Sequence, residues 1–178
     1  MSANKPEADL VLRVEIASSS DDLQGVSDMM REYLEWDLGE FERVSGVQLD
    51  VDEYVSNTMD NLDNYMPPNG VFALARDGGD DLRGFVLLKS MDRETAEIKR
   101  LFVDPSTRGA GLGRKLVGRV LERAREIGYK SVLLDSASYM QAAHRLYRDF
   151  GFEDIEYYPG NETDPSLSDH LVYMRLAL

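Results

Sequence analysis

Arg108-Gly109-Ala110-Gly111-Leu112-Gly113-Arg114-Lys115 combines three alternating glycines with three cations. Glycines let main-chain N–H groups approach an anion, because no side chain stands in the way. Apolar residues then recur at helical spacing, so the run opens a helix whose first N–H groups are unpaired and carry partial positive charge. Arg108, Arg114 and Lys115 add full charges. This chemistry suits a diphosphate. The spacing argues against two familiar kinds of diphosphate loop. A dinucleotide fingerprint needs Gly-x-Gly-x-x-Gly on the first strand of its unit, whereas this run reads Gly-x-Gly-x-Gly and follows the fourth strand. A Walker loop needs a Gly-Lys pair, and the chain has none. A glycine-rich turn with no ligand is the bland alternative, and it would lose stability at a helix start without return.

The elements around this run follow from periodicity and punctuation. Leu10–Ala17 alternates as a strand. Ser18–Ser20 with Asp21 and Asp22 starts a helix predicted to run to about Trp36, and Asp50–Leu62 reads as a second helix ended by Pro67-Pro68-Asn69-Gly70. Val71–Arg76, Leu82–Met91 and Thr95–Val103 are predicted strands, the last stopped by Asp104-Pro105. In the next helix Leu112, Leu116, Val117, Val120, Leu121, Ala124 and Ile127 form one face, and Gly128 stops it. Ser131–Ser136 is a strand, Met140–Phe150 a helix, and Phe152–Tyr158 and Leu171–Leu178 the last strands. The order β-α-α-β-β-β-α-β-α-β-β predicts an α/β (α+β) fold: one mixed sheet of about seven strands, helices on both faces, and one parallel pair joined by the glycine-loop helix. The expected organisation is a flexible tail over residues 1–9 and a single domain over 10–178.

The chain has 178 residues and no cysteine, which excludes disulfides, a thiolate nucleophile and Cys-based zinc. With only His144 and His170, no His-rich metal site is expected. His144 reads as a packed or surface histidine, His170 as a loop residue. The net charge of −13 argues against nucleic-acid binding. It is unevenly spread: from Ile98 to Arg125 eight basic residues face two acidic ones, so the one cationic region coincides with the anion loop. Fifteen arginines against five lysines on an acidic chain hint at a high-salt cytoplasm, and an ordinary acidic protein fits equally. No apolar run reaches membrane length, and a cytoplasmic location is the default expectation.

Arg108-x-x-Gly111-x-Gly113 resembles the Arg/Gln-x-x-Gly-x-Gly/Ala signature of the Gcn5-related N-acetyltransferases (GNAT). Leu101-Phe102-Val103-Asp104-Pro105 is similar to that family's preceding strand, and Ala143-x-x-Leu146-Tyr147-x-x-x-Gly151-Phe152 to its later helix-to-strand motif. The resemblance is specific from about Glu97 to Ile155. It implies a GNAT fold with acetyl-CoA as co-substrate and no metal. It implies that Leu101, Phe102 and Val103 act through their backbone on the pantetheine arm and thioester carbonyl, and that Arg108 to Lys115 hold the diphosphate. Tyr147 matches the family's general acid for the leaving thiolate. Glu97 aligns with a general base found in some members; a strand carboxylate paired with Lys99 or Arg100 is the alternative, with water as base. Met140 stands where many relatives carry a pantetheine-contacting asparagine, with Gln141 and Ser138 as polar neighbours.

The family builds its acceptor site from the first helices and last strands, which nominates Trp36 and Tyr158 among the aromatics there. The acidic balance favours a cationic amine, small or on a protein. Partners are therefore expected to be an amine acceptor, with no nucleic acid and no membrane; a homodimer is left open. Asp135 and Ser136 read as a strand-end cap. The competing function is a non-catalytic acyl-CoA-binding sensor or interaction module, which the loop alone supports equally well.

Overall fold

A computed structural model describes residues 12–160 and 162–178. The expected tail and the first two residues of the expected opening strand lie outside the described residues. The sheet has seven strands, β1 (Arg13–Ile16), β2 (Val71–Arg76), β3 (Leu82–Ser90), β4 (Thr95–Val103), β5 (Ser131–Ala137), β6 (Glu153–Ile155) and β7 (Leu171–Ala177), in the order β1-β2-β3-β4-β5-β7-β6. All neighbours are antiparallel except β4 and β5. Their crossover is α3 (Leu112–Ile127), the helix that the glycine run opens.

Strand periodicity sends alternate residues to two cores. Val71, Ala73 and Ala75 of β2 pack with Leu116, Val117, Val120 and Leu121 of α3 on one face. Phe72 and Leu74 pack on the other face with Met30, Leu34 and Leu38 of α1 (Val26–Ser45) and Val55 of α2 (Val51–Met59). From Val71 to Ala75 β2 is therefore wholly apolar, as a strand covered on both faces must be. A last helix, α4 (Gln141–Asp149), packs Leu146 and Tyr147 into the first core.

The mixed sheet, the helices on both faces and the bounds of β4 and α3 agree with the sequence reading. The first helix does not. The chain makes a 3-10 turn at Ser20–Leu23, breaks at Gly25 with φ +82°, and then forms α1, which continues past Trp36 to Ser45. The extension is driven by Leu38 and Phe41, which carry the buried stripe of Leu34 onward at helical spacing. Gly46, at φ +74°, caps the helix by donating to the Glu42 carbonyl. α2 stops at Met59; Asp50 caps it by accepting from the Asp52 and Glu53 amides, and a separate 3-10 turn follows at Leu62–Tyr65. β6 is only three residues long, so the segment from Glu156 onward is free to fold back over the sheet.

Candidate active site

β4 pairs with β5 only from Thr95 to Ile98. Beyond that point the two strands part. The register of β4 against β3 slips between Phe85 and Leu87, and Arg100 takes φ +52°, a left-handed conformation that side chains rarely adopt. Gly84 lets the strands stay close past this bulge; a Cβ there would lie 2.7 Å from the Phe102 carbonyl oxygen. The bulge turns the end of β4 away from β5 and leaves the inner edge of Leu101–Val103 without a strand partner on that side.

The gap is a groove. One wall is Leu101, Phe102 and Val103, the other is Met140 to Ala143 with Leu146, and Arg108, Gly109, Gly111, Leu112, Gly113 and Arg114 close one end. Gly109 and Gly111 have φ of +86° and +73°, and Gly111 is the N-cap of α3. Lys115 N–H is the first to bond back into the helix, to the Gly111 carbonyl at 3.1 Å. The amides of Leu112, Gly113 and Arg114 ahead of it have no acceptor among the described residues, and all three residues line the groove's end. Arg108 is exposed beside them, with no ion-pair partner among the described residues. Arg114 pairs with Asp149 and lies over the Phe150 ring at 5.4 Å. Ala110 and Lys115 do not line the groove.

A second, more enclosed cavity continues from the groove. Tyr33, Leu101, Tyr139, Met140 and Ala143 line both spaces. Tyr147 lines the inner one. Its ring packs on Phe152 at 5.6 Å, and its hydroxyl makes no hydrogen bond among the described residues. Burial, with help from Asp135, pushes the phenol well above its ordinary value, so it holds its proton at neutral pH.

Two residues singled out in the sequence lie elsewhere. Trp36 is half exposed and lines the groove, not the inner cavity. Tyr158 is buried and lines neither; its hydroxyl donates to Glu97 Oε1 at 2.7 Å. Glu97 also lines neither space. It is 0 % exposed, with Lys99 Nζ 3.1 Å from Oε1 and Lys89 Nζ 3.3 Å from Oε2. The exposed strand carboxylate weighed from sequence is thus a fully buried one.

Glu97 belongs to a network that sequence reasoning missed. Lys99 reaches Asp135 at 2.8 Å, while Glu162 lies 3.2 Å from Lys89 and 3.4 Å from Arg100. Three cations and three carboxylates are joined, so the network is neutral as a whole. Burial alone would lower the Lys99 ammonium, but Asp135 and Glu97 outweigh it and hold it raised. Burial would likewise raise Asp135 and Glu162, and the cations hold both below the usual carboxylate range. Asp135 is therefore no strand-end cap. The sequence sign of the network was charge inside an expected strand, at Glu97, Lys99 and Arg100.

His144 is buried against Ser136, with Nε2 and Oγ 3.1 Å apart, and burial lowers its pKa. Met140 sits at the shared neck of the two spaces, and Gln141 lines the groove with its amide donating to the Ser138 carbonyl. Among the described residues no cluster of metal-ligating side chains occurs.

The Acetyltransferase (GNAT) family model matches residues 29–152. An uncharacterised N-acetyltransferase of Schizosaccharomyces pombe is 34% identical over 161 residues, 88% of this chain and 89% of that protein. An IAA acetyltransferase of Azospirillum brasilense is 32% identical over 99 residues, 56% of this chain and 65% of that protein. Among solved structures, the PaiA N-acetyltransferase of Thermoplasma acidophilum in complex with coenzyme A shares the fold at a TM-score of 0.69 and 18% identity, over 94% of this chain and 99% of that one.

Proposed function

The chain belongs to the acetyltransferase (GNAT) family, and on that premise we propose that it moves an acetyl group from acetyl-CoA to a primary amine, small or on a protein, by direct attack. The observation that carries this reading is the continuity of three features: amides at the start of α3 with no acceptor among the described residues, a β4 edge at Leu101–Val103 that β5 leaves unpaired, both lining one groove, and a second cavity that meets this groove at a shared neck.

Acetyl-CoA supplies the activated acetyl thioester. The residues fit it on their own chemistry. The Leu112, Gly113 and Arg114 amides suit a diphosphate, with Arg108 adding charge. The free edge of β4 suits an amide-bearing arm, which binds as an added strand would. Negative charge builds on the thioester carbonyl oxygen when nitrogen attacks, and a main-chain N–H of the splayed strand is fixed in place to receive it. The C–N bond forms as the C–S bond breaks; Tyr147, protonated, donates to the departing sulfur, and the proton shed by the attacking nitrogen passes to water, from which the tyrosinate is reprotonated.

Glu97 is not given the role of base. Its carboxylate is held by two ammonium groups and a phenol away from both cavities, so it positions Lys99 and the β4 bulge. The test is a panel of amines incubated with acetyl-CoA and read by release of free thiol. Turnover on at least one amine is expected. Coenzyme A binding with no turnover on any amine would support the non-catalytic module instead.

A further inference from the structure

The inner cavity carries one carboxylate that the neutral network leaves over. Asp37, on α1, lines this cavity, and among the described residues no cation lies within ion-pairing distance of it. Its partners are phenols. The Tyr139 hydroxyl stands 2.6 Å from Oδ1, and Tyr33, one turn earlier on α1, faces the same carboxylate. An ionised carboxylate offers about four acceptor sites, so two hydroxyls leave room for a further donor. The rest of the wall near Asp37 is apolar, with Leu34, Leu38, Phe41, Leu49 and Leu171.

From this arrangement we propose that Asp37 is the specificity-determining residue of the acceptor site: it draws in the acceptor's amino group as an ammonium ion, whose short apolar body lies against the leucines and Phe41, and the ammonium gives one proton to water before its nitrogen attacks. This rests on the acetyltransferase reading of the neighbouring groove. The charge balance gives the sign: of the described groups lining the cavity, Lys99 and Arg100 stand against Asp37, Asp135 and Glu162, which leaves one negative charge in excess. Among the described residues a free carboxylate on the acceptor finds no unpaired cation here. An amine without one is therefore preferred.

The groups that bear on Asp37 come from every side of the cavity: Tyr33 from its own helix, Tyr139 from the approach to α4, Arg100 from β4 and Asp135 from β5. Burial raises its pKa, the two phenols and Arg100 oppose the rise, and Asp135 adds to it. Ammonium binding needs the ionised form. Amine affinity is accordingly expected to fall as pH drops through a value raised from the ordinary one of an aspartate.

The test uses benzylamine and benzoate as probes of opposite charge, titrated calorimetrically into the full chain, first without and then with saturating coenzyme A. Coenzyme A binding, measured first, tests the groove; its absence would sink the proposed function and this inference with it. With coenzyme A bound, benzylamine is expected to bind and benzoate not. Asp37→Asn is expected to weaken benzylamine roughly 10- to 100-fold, the loss of one charge-assisted hydrogen bond, and to abolish the acid dependence while coenzyme A affinity stays the same. Asp37→Glu, which keeps the charge, is expected to retain the preference for the amine and serves if the asparagine variant fails to fold. Benzoate binding as well as benzylamine, or an Asp37→Asn protein with unchanged benzylamine affinity, would overturn the inference and leave the groove intact.

Discussion

Tyr147 and Glu97 show how differently two side chains near one site can be placed. Tyr147 opens onto the inner cavity with its hydroxyl free, so Tyr147→Phe is expected to lower turnover on a responsive amine by about 100-fold, in the range for loss of a proton donor, with coenzyme A affinity unchanged. Full turnover in that variant would remove the assigned donor. Glu97 is buried between Lys89 and Lys99. Glu97→Gln leaves those ammonium groups short of a counter-charge, and a loss of about 3–5 kcal/mol in unfolding free energy is expected, as for a broken buried pair. Chemical denaturation measures it; a loss below about 1 kcal/mol would show that the network behaves like a surface pair. Tyr147 was legible in the sequence because its motif is local, running from Ala143 to Phe152. The pairing of Glu97 with Lys99, two residues on, was among the sequence alternatives; its burial was not legible, since its other partners, Lys89 of β3 and Tyr158, are brought to it only by folding.

The groove is assembled by two elements of unequal legibility. α3 announces itself: its apolar stripe, its glycine start and its Gly128 stop lie within one short stretch, and the structure gives the bounds expected. The splay of β4 does not show in its own residues, because it depends on Arg100 at φ +52° and arginine is no signal for a left-handed residue; the family resemblance alone implied that Leu101–Val103 act through a free backbone. α1 was cut short for a related reason: its stripe continues to Leu38 and Phe41 beyond Glu35 and Asp37, and the inner cavity that depends on that extension went unseen, Asp37 included. Gly111→Val tests the α3 end. A β-branched residue at φ +73° costs about 1–2 kcal/mol or more, and the strain is expected to turn the first amides and weaken coenzyme A binding at least tenfold. Equal affinity would mean that the helix start does not hold the cofactor.

Over the whole molecule, charge sets the response to solvent. Asp22 is held low by hydrogen bonds from Ser18 and Ser19, Asp77 by Arg83, and Asp135 and Glu162 by the buried cations. Their folded values lie below the unfolded ones, near 4. The stability they contribute is complete above that range and is lost as pH falls through the depressed values. The melting temperature is therefore expected to hold from neutral pH to about pH 5 and to drop steeply below it. The net charge of −13 adds self-repulsion that ions screen, so the melting temperature is also expected to rise with potassium chloride; no change on desalting would remove the high-salt reading of the composition. No described helix is long and apolar enough to cross a membrane. Bare α3 amides beside an open β4 edge form the proposed seat for acetyl-CoA. Calorimetric titration of the folded chain with acetyl-CoA tests that seat: one molecule bound per chain, with affinity falling as salt rises, is the expected result, and no binding at low salt would contradict it.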